Sequence, residues 1–315
     1  MFEAVLAKIQ EYDTIIIHRH KSPDGDALGS QIGLKHILLA NFPQKQVWTT
    51  GDEAGRYAFM EDSGMDEVPD EAYQGALAVI LDTSARKLIS DERYSLAADT
   101  IRIDHHIFCE QIAVTEVSDS SFESCCGMIA AFAKESGLTV PLLAAQSLYT
   151  GMVTDSGRFR YDATSARTHE LASFLLQQPV DTNEIYRCLY ATDYEQMKLR
   201  AQFVLKIRFT PKNVAYIYTT LEEAATMNSD VFGISRGMVS TMADIRGVDI
   251  WVNFTETDRG VLCELRSSRF NINPVAVKYG GGGHAKASGA TVRDREEAML
   301  MLRDLDEMMD EGDKG

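Results

Sequence analysis

No C-x-x-C pair occurs among the five cysteines, Cys109, Cys125, Cys126, Cys188 and Cys263, and their odd number leaves at least one without a mate. Both facts argue against a disulfide framework and against a thiolate zinc site. Small buried hydrophobes in a reducing compartment are the simpler expectation. No apolar run approaches the roughly 20 residues that cross a bilayer, so no membrane span is expected. Met1–Gln10 holds Glu3 and Lys8 and no small-residue cleavage site, which is not the pattern of a signal peptide. A cytoplasmic location is the resulting expectation. Basic residues are scarce as well: lysine and arginine number 31 against 47 aspartates and glutamates, a net charge of −16. Proteins that hold long nucleic acids normally present a basic face to the phosphates, so a long duplex is not expected as a partner. A small anion stays open as a substrate if metal ions and a few local arginines reverse the field at the site. Neither an internal repeat nor a low-complexity segment is found.

What is present fits an ordinary α/β protein of two modest domains: 315 residues, 45% hydrophobic and 25% charged. Thr14–His18, Ala76–Leu81 and Thr100–Ile103 are short apolar runs, each followed by polar residues and then helical periodicity, as in a mostly parallel sheet flanked by helices. Helices are expected at Ala27–Ala40, Glu123–Ser136, Leu142–Thr150 and Ser165–Gln177. Pro179 and Asp181 punctuate the chain, and Asp193–Lys206 reads as a connecting helix. The expected layout is a first domain over residues 1–189, a linker helix over 190–206 and a smaller α/β domain over 207–315. In the latter, strands are expected at Val214–Thr219, Asp249–Thr255 and Gly260–Leu265, the last two forming a hairpin. Helices are expected there at Asp230–Ala243 and Arg295–Met309. Only the tail Asp310–Gly315 is expected to be disordered.

Four segments carry chemistry. After the first strand, His20-Lys-Ser-Pro23-Asp24-Gly25-Asp26 places an imidazole and two carboxylates in a tight turn before a helix. Asp82 follows the second strand, Asp104-His105-His106 ends the third, and Asp155 follows a helical stretch. Ligands of open α/β sheets bind at the carboxyl ends of the strands, where these residues would lie. Taken singly, each aspartate could equally be a helix cap.

Together the four segments resemble the DHH phosphoesterase family, in its order: His-x-x-Pro-Asp-x-Asp-Ala-x-Gly-Ser at His20–Ser30, Asp82, the Asp104-His105-His106 tripeptide, and Asp155. Gly280-Gly-Gly-Gly283-His284-Ala-Lys-Ala-Ser-Gly289 resembles the glycine-rich signature of the DHH-associated substrate domain. The compact layout is most similar to the family's bacterial bifunctional oligoribonucleases. That resemblance implies hydrolysis of nanoRNA and dinucleotides such as pApA to nucleoside 5′-monophosphates, and removal of the 3′-phosphate from 3′-phosphoadenosine 5′-phosphate (pAp). A cyclic dinucleotide phosphodiesterase and a catalytically silent nucleotide-binding regulator are the alternatives; intact ligands at all six positions speak against the second.

The resemblance further implies two divalent cations, manganese first, with magnesium or cobalt as substitutes. One would be held by His20, Asp24 and Asp82, the other by Asp26, Asp82, His105 and Asp155, so that Asp82 bridges. Oxygen donors with a little imidazole suit such ions on chemical grounds too. Two like charges about 4 Å apart repel by about 4 kcal/mol at an effective dielectric of about 20, so the carboxylates could not gather without cations or protons. In such a site the metals clamp the phosphate and activate a water. Asp82, Asp104, His105 and His106 would then form the catalytic group, His106 touching the phosphate and Asp104 orienting an imidazole. Substrate contacts are expected from His106, Arg266, Arg269, Gly282, Gly283 and His284. Either arginine alone could be a solvated charge, and Arg158 and Arg160 carry a weaker case. The expected partners are short RNA fragments and small nucleotides, with a homodimer as an option. Lys286 and the Thr83–Lys87 segment depart from the family pattern, which puts substrate preference in doubt.

Overall fold

The computed structural model describes residues 1–227 and 229–310. Two compact units divide it, Met1–Ala191 and the chain from Thr192 onward. The first contains α1 (Glu3–Glu11), β1 (Thr14–His18), α2 (Gly25–Asn41), β2 (Gln46–Thr49), β3 (Leu77–Leu81), β4 (Asp99–Asp104) and β5 (Thr115–Ser118). It continues with α3 (Cys125–Glu135), α4 (Leu142–Asp155), α5 (Ala166–Leu175) and α6 (Thr182–Tyr190). The strands pair in the order β2-β1-β3-β4-β5, all parallel. Central strands of such a sheet are covered on both faces, which is why β1 and β3 are nearly continuous apolar runs. Successive residues of β1 face opposite sides: Ile15 and Ile17 join the main core with Leu34, Met128 and Leu148, whereas Ile16 packs with Val68 and Tyr73.

The α2–α4 contact brings the first and last site segments together. A Cβ on Gly29 would lie 2.5 Å from the Ser147 carbonyl oxygen, and one on Gly151 would lie 2.2 Å from Cys126 Sγ. Only glycine permits so close an approach. Helix α4 also runs past the expected end at Thr150 to Asp155, which therefore sits in its last turn rather than in a loop.

The second unit holds α7 (Tyr194–Lys206), β6 (Arg208–Phe209), β7 (Ala215–Thr219), α8 (Leu221–Thr226), β8 (Ile250–Thr257) and β9 (Gly260–Ser267). After these come α9 (Asn273–Lys278), β10 (Gly282–His284), β11 (Ala287–Val292) and α10 (Arg295–Met308). Its sheet runs β10-β11-β9-β8-β7-β6, mostly antiparallel, with β7–β8 parallel. The β8–β9 hairpin closes tightly, Thr257 facing Gly260 across Asp258-Arg259. Leu199 and Phe203 of α7 are buried with Ile217 and Trp251, so this helix packs inside the second unit.

Two expectations fail. Of the five cysteines expected to be small buried hydrophobes, Cys125, Cys126 and Cys263 are buried, whereas Cys109 is exposed and Cys188 half-buried. Over Asp230–Ala243 there is a wide turn, Gly233–Gly237, and a short tight one, Val239–Met242, in place of a continuous helix. The buried Asn253 amide donates to the carbonyls of Ile234 and Ser235, each at 2.7 Å, taking acceptors that a regular helix would use itself. Of the tail expected to be disordered, Asp310 is described and pairs with Lys212; Glu311–Gly315 lie outside the described residues. Among the described residues no helix is long and apolar enough to cross a membrane.

Candidate metal centre

Asp24 is the N-cap of α2, its Oδ1 accepting from the amides of Asp26 and Ala27, both at 3.0 Å. Capping does not take the carboxylate out of the site, because the capping Oδ1 itself lies 3.8 Å from His20 Nε2. The preceding loop is clamped. The Ser22 amide, in left-handed backbone at φ 52°, donates to Asp52 at 2.7 Å. Buried Arg19 bonds to Gln31, to the His20 carbonyl and to the Asp52 carbonyl.

Asp26 lies one residue inside α2, where its carboxylate meets the start of α3. The amides of Cys125 and Cys126 donate to its two oxygens at 2.7 and 2.8 Å, so the N-terminus of α3 fixes the orientation of this buried carboxyl. Asp82 leaves β3 at φ 50°, a conformation uncommon for a residue with a side chain, held by its amide donating to the Ile103 carbonyl at 3.1 Å.

Three imidazoles face these carboxylates in two ways. His20 Nδ1 lies 2.8 Å from the Lys21 carbonyl and His105 Nδ1 lies 3.3 Å from the Phe122 carbonyl, contacts that favour a proton on Nδ1 and leave Nε2 as a lone-pair donor. His20 Nε2 is 3.4 Å from Asp82 and 3.8 Å from Asp24. His105 Nε2 is 3.3 Å from Asp155, 3.5 Å from Asp82 and 3.7 Å from Asp26. The two Asp82 oxygens divide between them, Oδ2 toward His20 and Oδ1 toward His105. His106 is turned the other way, its Nδ1 against Asp104 at 2.8 Å, which leaves Nε2 free on a ring that is 45% exposed. All six expected metal ligands thus converge.

The electrostatics favour added positive charge. Burial, with repulsion from Asp82, Asp155 and Asp24, pushes the Asp26 carboxyl well above its usual range. Burial likewise lifts Asp155 to about 6; His105 opposes this, and Asp82 and Asp24 add to it. Although burial disfavours its charge, His20 is raised to about 11 by the Asp24 and Asp82 carboxylates that its Nε2 faces, so without a cation this nitrogen carries a proton. His106 is lifted to about 9, chiefly by Asp104. Asp82 Oδ1 is buried with no hydrogen-bond donor. Protons trapped on carboxylates in this way are what divalent cations would displace, and the oxygen-rich donor set suits hard or borderline ions. Cys125 and Cys126 stay protonated, since burial pushes both thiols far up and Asp26 adds to it.

The expected substrate residues of the second unit are placed less simply. His284 and Arg266 share one register level across β10, β11 and β9, each opposite Ala287. Arg266 is already paired with Glu264 at 3.1 Å and Arg269 with Asp249 at 3.4 Å, so neither guanidinium is a free fork. Gly283, at φ 138°, lies where a Cβ would meet the Ala287 carbonyl oxygen at 2.6 Å; with Gly282 it forms strand β10. The Asp26 anchorage on α3 and the Arg19–Asp52 clamp escaped sequence reasoning. For the first, the signal available was Ser124, a good N-cap opening α3.

Comparison with known proteins agrees with this geometry. Residues 14–152 match the DHH family, N-terminal domain, and residues 213–311 match the DHHA1 domain. A Bacillus subtilis protein named bifunctional oligoribonuclease and PAP phosphatase NrnA is 34% identical, over 98% of each chain. A Streptococcus mutans protein named probable bifunctional oligoribonuclease and PAP phosphatase NrnA is 36% identical, over 96% of this chain and 98% of its own. The crystal structure of an exopolyphosphatase-related protein from Bacteroides fragilis superposes with a TM-score of 0.82 at 27% identity, covering 98% of this chain and 95% of that one. DHH phosphoesterases are metal-dependent hydrolases, and the clustered aspartates and histidines supply groups able to hold metal. With motifs, fold and near full-length relatives in agreement, the chain belongs to the DHH phosphoesterase family.

Proposed function

We propose that the chain hydrolyses very short oligoribonucleotides, dinucleotides such as pApA included, to nucleoside 5′-monophosphates, and removes the 3′-phosphate of pAp. The observation that carries this reading is the convergence of His20, Asp24, Asp26, Asp82, His105 and Asp155 in a chain alike end to end to proteins bearing those activities in their names. His20, Asp24 and Asp82 would hold one divalent cation and Asp26, Asp82, His105 and Asp155 the second, manganese being the ion we favour. Bound there, the cations supply charge neutralisation of the phosphate and acidification of water. The protein's own groups do the rest. His106, charged through its bond to Asp104, offers Nε2 as a hydrogen-bond donor to the scissile phosphate. His105 is held by the Phe122 carbonyl with its Nε2 toward Asp155.

Residues 1–189 would form the catalytic part and residues 207–315 the substrate-binding part, where His284, Gly282, Gly283, Arg266 and Arg269 contact the nucleotide. A cytoplasmic location completes the proposal. The test is a manganese-supplemented panel of pApA, a long RNA, pAp and a cyclic dinucleotide, with chelator as control. Chelator-sensitive turnover of pApA and pAp well above the other two is expected. Equal rates on long RNA and the dimer, or preference for the cyclic substrate, would contradict the proposal. In the same assay His284→Ala should impair pApA far more than a small chromogenic phosphodiester, and parallel loss on both would overturn the division of labour.

A further inference from the structure

A second feature of the first unit lies beyond the ligand set. Directly after Ser156, three successive residues, Gly157, Arg158 and Phe159, adopt left-handed backbone at φ 58°, 65° and 60°. Side-chain-bearing residues seldom occupy that region, and two in a row need strong enforcement. Enforcement comes from buried Ser156: its hydroxyl accepts from the Phe159 amide at 2.8 Å, and its carbonyl accepts from the amides of Arg160 and Tyr161 at 2.9 and 3.0 Å. Phe159 is thereby turned inward against Tyr149 and His169. Arg158 is turned outward, three residues from Asp155, and its guanidinium lies 4.8 Å from the centre of the Tyr190 ring.

Among the described residues no carboxylate lies within ion-pair distance of Arg158, although acidic residues outnumber basic ones 47 to 31. The same holds for Arg56, which stacks on Tyr57 at 4.7 Å. Tyr57 lies in an apolar cluster that Leu189, the residue before Tyr190, packs against. Tyr57 and Arg56 also wall a cavity of about 430 Å³ that reaches Pro23 and Asp24, the latter a candidate metal ligand. That volume falls in the usual range for a small-molecule site, roughly 300–1,000 Å³. An un-neutralised guanidinium against an aromatic face, beside an open cavity, can accept a phosphate and offers stacking surface for a base.

We propose that Arg158, braced on Tyr190, forms a nucleotide-gripping subsite within the first unit, taking a non-scissile phosphate of the substrate, with the Tyr57 wall of the cavity offering a face for a base. The subsite would add to whatever grip the DHHA1 domain provides, and it rests on the nucleotide-hydrolase reading above. A strained turn would then be retained because it aims the arginine.

The test measures Arg158→Ala, Arg158→Lys and Arg158→Asn in the manganese-loaded full chain. Removing a charged hydrogen bond to phosphate should raise KM for pApA by about 10- to 100-fold and leave kcat within about threefold. Lysine should recover part of the loss, and a small chromogenic phosphodiester should be unaffected. Asparagine tolerates left-handed backbone, so Arg158→Asn should melt no lower than the wild type while showing the raised KM. A merely structural arginine would lower melting and both activities together, and that outcome overturns the proposal, as does an unchanged KM. Calorimetric titration of AMP separates this inference from the reading beneath it. Should the wild type fail to cleave pApA yet bind AMP with an affinity that falls about 10-fold on loss of the arginine, the hydrolase reading fails and the subsite stands. If it cleaves pApA but binds AMP equally well without the arginine, only the subsite falls.

Discussion

Replacing Gly151 by alanine should disable the metal centre although Gly151 touches no substrate. The new methyl group would lie 2.2 Å from Cys126 Sγ, 3.0 Å from the Gly25 carbonyl oxygen and 3.1 Å from Asp26 Cα. Ordinary carbon contacts are about 3.5–4.0 Å, so something must retreat by about 1 Å or more. All the neighbours belong to the site: Gly25 and Asp26 open α2, and the Cys126 amide holds the Asp26 carboxylate. Overpacking of this kind costs about 1–3 kcal/mol of stability. The functional cost is larger, because metal–ligand distances tolerate only about 0.2 Å and a misplacement of about 1 Å can cost about 100-fold in rate. Manganese titration, kcat on pApA and a urea melt should therefore show weakened metal binding, about 100-fold slower turnover and a modestly destabilised fold. Gly64→Ala, where a Cβ meets nothing within 4 Å, is the neutral control. If Gly151→Ala keeps wild-type metal affinity and turnover, the claim that the α2–α4 seam sets the ligand geometry is wrong.

Asp82→Asn should lose turnover on every substrate alike, with the metal-free protein melting no lower than wild type, because a charge that repels Asp26 and Asp155 is gone; substrate-selective loss would refute the bridging role. Manganese affinity should rise between pH 5 and pH 7 with proton release, since Asp155, held at about 6, must give up its proton to bind; calorimetry in buffers of different ionisation enthalpy reads this, and a pH-independent affinity would contradict it. His18, buried in the sheet, is lowered to about 4, with burial outweighing the attraction of Asp91. Its folded value lies below the unfolded one of 6.5, so its contribution is complete above about pH 6.5 and is lost as pH falls through 4. That loss is worth about 3 kcal/mol, and urea melts at pH 7 and pH 4 should show His18→Phe losing about that much less than wild type.

The legible parts of the fold were those with a one-dimensional signal. The apolar runs of β1 and β3 and the tripeptide at the end of β4 announce strands and place charged residues at their ends, so the ligand segments could be found without coordinates. Edge strands β2 and β5 were invisible: Gln46-Val-Trp-Thr49 and Thr115-Glu-Val-Ser118 are short and only partly buried, so neither shows an unbroken apolar pattern. The failed helix over Asp230–Ala243 yields to Asn253, a residue on another element that no local propensity can report. Distance in sequence also hides the Asp26 anchorage, since its amide donors lie 99 and 100 residues away. The Glu264 partner of Arg266 was within reach, because residues two apart on one strand share a face.

The central claim is that two divalent cations occupy this cluster, and anomalous scattering from manganese in a crystal of the full chain tests it most directly. Two peaks should appear about 3.5–4 Å apart, one against His20, Asp24 and Asp82, the other against Asp26, Asp82, His105 and Asp155. A single peak, or none within reach of Asp82 in manganese-saturated crystals, would contradict the account.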